Sequence, residues 1–148
     1  MKSFVYLVGL SVLTAFFVAG CAGTKEEGVW FLIKIVDSTA SPTQEYNYGR
    51  SDGQVLVFDG NRLAELDLRL GKVRCRFRAY EHKDDIISVP AGGGCSAEEY
   101  RVLELTSTAL QTSKTTDPRN QIVRIYSKQD QKFLDELLQE KGLSRNDM

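Results

Sequence analysis

The chain has 148 residues, 19 Lys and Arg against 20 Asp and Glu, and one His, a formal net charge of −1. A near-neutral chain with no basic block argues against nucleic acid as a partner. One histidine and three cysteines leave little material for a metal centre, and aromatic and β-branched residues are plentiful, as strands prefer.

The first twenty residues do not read as part of a fold. Lys2 gives a positive start, and Phe4–Val18 is an uncharged, mostly apolar run. That run is short for a spanning helix, which needs roughly 20 apolar residues, and suits a secretory signal. It ends in Val18-Ala19-Gly20-Cys21. This resembles the bacterial lipobox, in which a cysteine thiol accepts diacylglycerol and becomes the mature N-terminus. The resemblance implies lipidation at Cys21 and a permanent membrane tether, since acyl burial is worth ~0.8 kcal/mol per CH₂. Ala22 rather than Asp after the cysteine matches the sorting pattern for the outer membrane of a Gram-negative-type envelope. Lys25-Glu26-Glu27 reads either as a solvated linker cluster or as a short surface-export signal. Residues 1–20 are thus expected to be a signal peptide, 21–27 a lipidated tether and 28–142 a single domain. Removing residues 1–20 leaves 128, in which 18 basic face 20 acidic residues, a balance of −2. That length supports one core.

From Gly28 to Ser127 the chain reads as short strands between turn signals, the pattern of a sandwich or barrel. Gly28–Asp37 is apolar on both faces apart from Lys34. Gln44–Arg50 alternates, with Tyr46 and Tyr48 on one face. Gln54–Asp59 follows, and Asp59-Gly60-Asn61 is a hairpin signal. Arg62–Leu70 sets Ala64, Leu66, Leu68 and Leu70 against Leu63, Glu65, Asp67 and Arg69. Lys72–Glu81 sets Val73, Cys75, Phe77 and Ala79 against Arg74, Arg76, Arg78 and Tyr80. Such period-2 order predicts one face in a core and the other in water. His82–Asp85 reads as a turn around a solvated histidine, Asp85–Pro90 as a strand, and Gly92–Gly94 as a loop. Glu98–Thr106 and Ala109–Lys114 predict a hairpin, and Gln121–Ser127 a last strand. Then the period changes: Phe133, Leu134, Leu137 and Leu138 share a helical face, Ser127 can cap the helix, and Gly142 ends it. These are nine candidate strands; an antiparallel meander that closes needs an even number, so eight or ten are expected.

Gly28-Val29-Trp30 at the start of the first strand is similar to the Gly-x-Trp signature of lipocalins and of the lipocalin-like domains of bacterial lipoproteins. Tyr100–Leu110 resembles a late hairpin of those domains. The resemblance implies an all-β, up-and-down antiparallel barrel of about eight to ten strands with a short C-terminal helix. It also implies that Trp30 plugs the closed end, with Arg124 of the last strand across it.

No catalytic motif, cofactor motif or metal-ligand spacing is present, so neither an enzyme nor a cofactor is expected. Cys75 and Cys95 either pair in an oxidising compartment or remain buried thiols. Two functional classes stand. In one, the barrel binds a small hydrophobic or amphiphilic ligand in its cup, with Lys34, Tyr46, Tyr48, Leu66 and Phe77 as lining. In the other, the barrel is filled, and an envelope protein is met on its outside, for which the Arg74, Arg76 and Arg78 row or the mouth loops are the candidates.

Overall fold

The computed structural model describes residues 26–148. The expected signal segment, Cys21 and the start of the expected tether lie outside them. The described residues form a nearly closed antiparallel barrel with one short helix. Its strands are β1 (Gly28–Asp37), β2 (Gln44–Asn47), β3 (Gln54–Asp59), β4 (Arg62–Asp67), β5 (Lys72–Ala79), β6 (Glu81–Lys83), β7 (Ile86–Val89), β8 (Glu98–Leu105), β9 (Ala109–Lys114) and β10 (Ile122–Gln129). The order around the sheet is β5-β4-β3-β1-β10-β9-β8-β7-β6, with β2 added to the upper half of β1. Ten strands are one more than the nine candidates. The extra one, β6, comes from the stretch read as a turn: Glu81, His82 and Lys83 pair with Ser88, Ile87 and Ile86, and the turn itself is only Asp84-Asp85.

The sheet has two buried faces for part of its width. Trp30, Leu32, Leu56, Phe58, Leu63, Tyr80, Ile87, Val89, Tyr100, Leu110 and Tyr126 form one cluster. Because they come from strands all round the sheet, this cluster is the barrel interior. The second cluster draws on Val29, Phe31, Val55, Val57, Ala64, Leu66 and Leu68 with Leu134, Leu137 and Leu138. It lies outside β1, β3 and β4, under helix α1 (Gln131–Glu140). The apolar half of the β4 alternation therefore faces the helix, and the half read as solvated, Leu63 and Glu65, faces inward. Both are fully buried.

Ser127 does not cap α1, because β10 runs on to Gln129; Asp130 does, accepting from Phe133 N at 2.8 Å. Glu26 and Glu27, expected to belong to a tether, are bonded to the barrel. The Glu26 carbonyl accepts from Trp30 Nε1 at 2.7 Å, and the Glu27 carboxylate accepts from Gly60 N at 2.8 Å.

No strand ladder joins β5 to β7. That seam is closed by the 90–97 loop. Gly93 O accepts from Arg76 N at 2.8 Å, and a disulfide joins Cys75 to Cys95. Gly93 has φ 58°, and a Cβ there would stand 2.3 Å from Arg76 O, so only glycine lets the loop lie against β5.

Candidate binding site

Strand register decides which side chains meet, because residues directly opposite on antiparallel strands share a face. In β1 the pairing with β10 slips by one residue between Leu32 and Lys34. This bulge spends Ile33 as an extra residue and reverses the alternation above it. Ile35, not Lys34, continues the inner face begun by Trp30 and Leu32. Lys34 points outward, where its Nζ lies 2.9 Å from Glu45 Oε2. Among the other expected lining residues, Tyr46 stands exposed at the rim opposite Ile35 and bonds Gln44. Leu66 and Phe77 pack on the outer face toward α1. Tyr48 does pack against the interior cluster. The five expected residues are thus not brought together.

Trp30 is fully buried in the interior cluster, and the cation over its ring is Lys128 at 5.1 Å, not Arg124. Register explains the exchange: Trp30 lies opposite Lys128, whereas Arg124 lies opposite Ile35, nearer the mouth. Lys128 also packs over Gly28, whose φ of 125° favours glycine and where a Cβ would come within 2.9 Å of Lys128 Cε, so that the lysine would have to shift. At the same end, His82 is not solvated; its Nδ1 meets the buried Glu26 carboxylate.

The interior holds a charged network that the alternation pattern hid. Arg78, 6% exposed, reaches Glu65 Oε1 at 3.3 Å and Glu98 Oε2 at 2.8 Å. Arg74 lies 3.4 Å from Glu65 and 3.8 Å from Glu98, and Lys114 lies 3.4 Å from Glu98. Tyr100 donates to Glu98 at 2.9 Å, and Gln54 to Glu65 at 2.8 Å. Burial and the Glu98 charge push the Glu65 carboxyl above its ordinary value, against the pull of Arg74 and Arg78. Burial also works upward on Glu98, but the bonds from Tyr100 and Arg78 and the Lys114 charge outweigh it and leave it lowered. Arg78 is therefore withdrawn from the arginine row of β5, while Arg74 and Arg76 stay exposed, Arg74 in pairs with Glu65 and Glu98. A sequence signal for this network existed in Leu63, an apolar residue on the supposedly wet face of β4.

Glu65, Cys75 and Glu98 offer ligand atoms within 4.8 Å of one another. The set suits no metal ion, since the Cys75 sulfur is spent in the disulfide and Arg78 already neutralises both carboxylates.

Two openings adjoin the interior. A groove of about 770 Å³ runs along the seam, with Ala79, Tyr80, Val89, Pro90 and Ala97 as apolar wall and Glu98 and Lys114 among its polar groups. A cavity of about 340 Å³ sits at the mouth, lined by Leu32, Tyr48, Gln54, Asp67, Arg69 and Arg74 among others. No helix among the described residues is long and apolar enough to cross a membrane.

With this geometry in hand, comparison with solved structures shows the class of fold. The chain is similar to a lipocalin-like protein from Bacteroides uniformis, with a TM-score of 0.53 and 15% identity over 71% of this chain and 99% of that one. The fold is lipocalin-like. No protein-family model and no curated protein matches the sequence.

Proposed function

We propose that the chain is a lipoprotein, tethered through Cys21 to the outer membrane, whose barrel binds a small hydrophobic or amphiphilic molecule in the seam groove. The tether rests on the order of charge, apolar run and Val18-Ala19-Gly20-Cys21. The binding reading is carried by one observation, a groove of about 770 Å³ with apolar walls and a few polar groups. Ligand sites typically occupy about 300–1,000 Å³ and are built that way. Ala97 lines the groove and is exposed, so enlarging it fills the space without disturbing a packed core.

Titration with an environment-sensitive fluorescent fatty acid tests this reading. Saturable binding by the native sequence, lost in Ala97→Trp, is the expected result. An absence of binding, or equal binding by both proteins, overturns it. Incorporation of labelled palmitate, abolished by Cys21→Ser, tests the tether separately.

A second reading has its own support. Trp30, Phe58, Leu63, Tyr80, Ile87, Tyr100 and Leu110 pack the lower barrel with large side chains. Under this reading the barrel is filled and the chain is a structural or protein-binding lipoprotein that meets an envelope protein on its outer face. A failed titration by a folded protein favours it.

A further inference from the structure

Near the barrel mouth, three donor side chains have no hydrogen-bond acceptor among the described residues. Arg124 of β10 lies opposite Thr112 of β9 and opposite Ile35 of β1. Ile35 packs on the interior cluster and Thr112 is 2% exposed, so all three share the inner face. Tyr126 follows Arg124 by two residues and lies opposite Leu32 and Leu110, both interior. Thr112 Oγ1 is buried without a hydrogen-bond partner. Tyr126 is 2% exposed, and among the described residues neither its hydroxyl nor the Arg124 guanidinium has a hydrogen-bond or ion-pair partner. Arg124 is half-buried, but Thr112 Oγ1 is sealed from solvent, and since buried polar groups of native proteins are nearly always satisfied, that open hydroxyl beside a charged donor points to a missing partner.

The chemistry of that partner follows from the donors. A guanidinium keeps its charge at any working pH and presents a planar fork. Burial pushes the Tyr126 phenol far above its ordinary range, so it remains an O–H donor. The threonine hydroxyl completes a set rich in donors and carrying a positive charge. Its complement is an oxyanion, which offers several lone pairs to one fork. The surrounding field agrees. Glu65 and Glu98 lie near, but Arg74, Arg78 and Lys114 already pair with them, and Arg124 adds a further cation. Arg124 is only half-buried, so the charged donor can be reached from solvent, and the 340 Å³ mouth cavity comes as near as Leu32, which pairs with Tyr126.

We propose that Arg124, Tyr126 and Thr112 form an oxyanion-binding site at the barrel mouth, which takes the carboxylate or phosphate group of a small ligand. This site is separate from the seam groove, and the two stand or fall independently.

The test is calorimetric titration of the full chain in detergent, with matched blanks, using sodium hexanoate, sodium phosphate and hexanol. Hexanoate binds saturably and hexanol does not. Arg124→Gln weakens hexanoate at least tenfold, whereas Tyr126→Phe and Thr112→Val, which preserve side-chain shape, weaken it severalfold each. Ala97→Trp in the seam leaves it unchanged. Hexanoate binding more tightly than phosphate identifies the head of an amphiphile; equal affinity identifies a free oxyanion; either supports the site. No saturable binding of either anion, or unchanged binding in Tyr126→Phe and Arg124→Gln, overturns it. Should Arg124→Gln fail to fold, Tyr126→Phe carries the test alone, since it deletes one oxygen.

Discussion

Arg78 of β5 and Glu98 of β8 lie 2.8 Å apart across the seam that no strand ladder closes. The pair does there what backbone pairing does elsewhere in the barrel. Arg78 also donates to the carbonyls of Ser96 at 2.5 Å and Pro90 at 3.3 Å, so it holds the closing loop as well as the carboxylate. Arg78→Met leaves two buried carboxylates short of their partner. Breaking one side of a buried pair costs about 3–5 kcal/mol. Urea unfolding should show that loss, with Arg78→Lys intermediate because an ammonium cannot reproduce the fork. A loss under about 1 kcal/mol would mean that water replaces the guanidinium.

Glu65 and Glu98 titrate in opposite directions, which gives a pH test. The folded-state value of Glu65 is raised above 4.5, chiefly by burial. Between pH 4.5 and that higher value the folded chain holds a proton that the unfolded chain releases. Stability therefore falls as pH rises through this window. Glu98 is lowered, so its contribution is present above pH 4.5 and lost as pH falls below it. Glu65→Gln removes the first slope only. Measured from pH 4.5 to 8, unfolding free energies should shift in favour of the variant until Glu65 of the native protein has ionised. A constant difference across that range would refute the assignment.

What the sequence revealed was the element list, and what it concealed was orientation. Strands and hairpins follow from period-2 runs and turn residues, and each is local. Which face of β4 looks inward is not local. Ala64, Leu66 and Leu68 are apolar because α1 covers them, and α1 lies more than sixty residues further along. The wet reading of Glu65 failed for the same reason: its partners Arg74, Arg78 and Gln54 come from neighbouring strands. Lys34 was misplaced by a single bulge at Ile33, which no residue type announces. Trp30 is an inner-face residue of a strand whose start the sequence marks locally, whereas its cation is fixed by a register that only the folded sheet defines.

The disulfide closes a 20-residue separation and spans the seam. Loop-closure entropy for such a loop is worth about 3 kcal/mol. Cys75→Ala with Cys95→Ala should lower stability by that order, and reductant should then have no further effect. Because Arg76 and Gly93 still bond across the same seam, the barrel should remain folded at moderate temperature. Equal midpoints for the native and double-variant proteins would show that the staple adds nothing.

Lys128 and Arg124 give a contrast that separates packing from function. Both are cations on the inner face of β10, four residues apart. Lys128 sits 5.1 Å from the Trp30 ring centre, and its stem fills the space that Gly28 leaves open. Truncating it removes a cation–π contact of about 0.5–2 kcal/mol together with packing around Trp30. Arg124 is half-buried and has no hydrogen-bond or ion-pair partner among the described residues, so it adds little to the fold. Lys128→Ala should therefore lower the thermal midpoint by several degrees, while Arg124→Gln should leave it unchanged or raise it. That outcome is expected where a charge is kept for a ligand and not for the fold. A large loss in Arg124→Gln, equal to that in Lys128→Ala, would assign Arg124 to the scaffold instead.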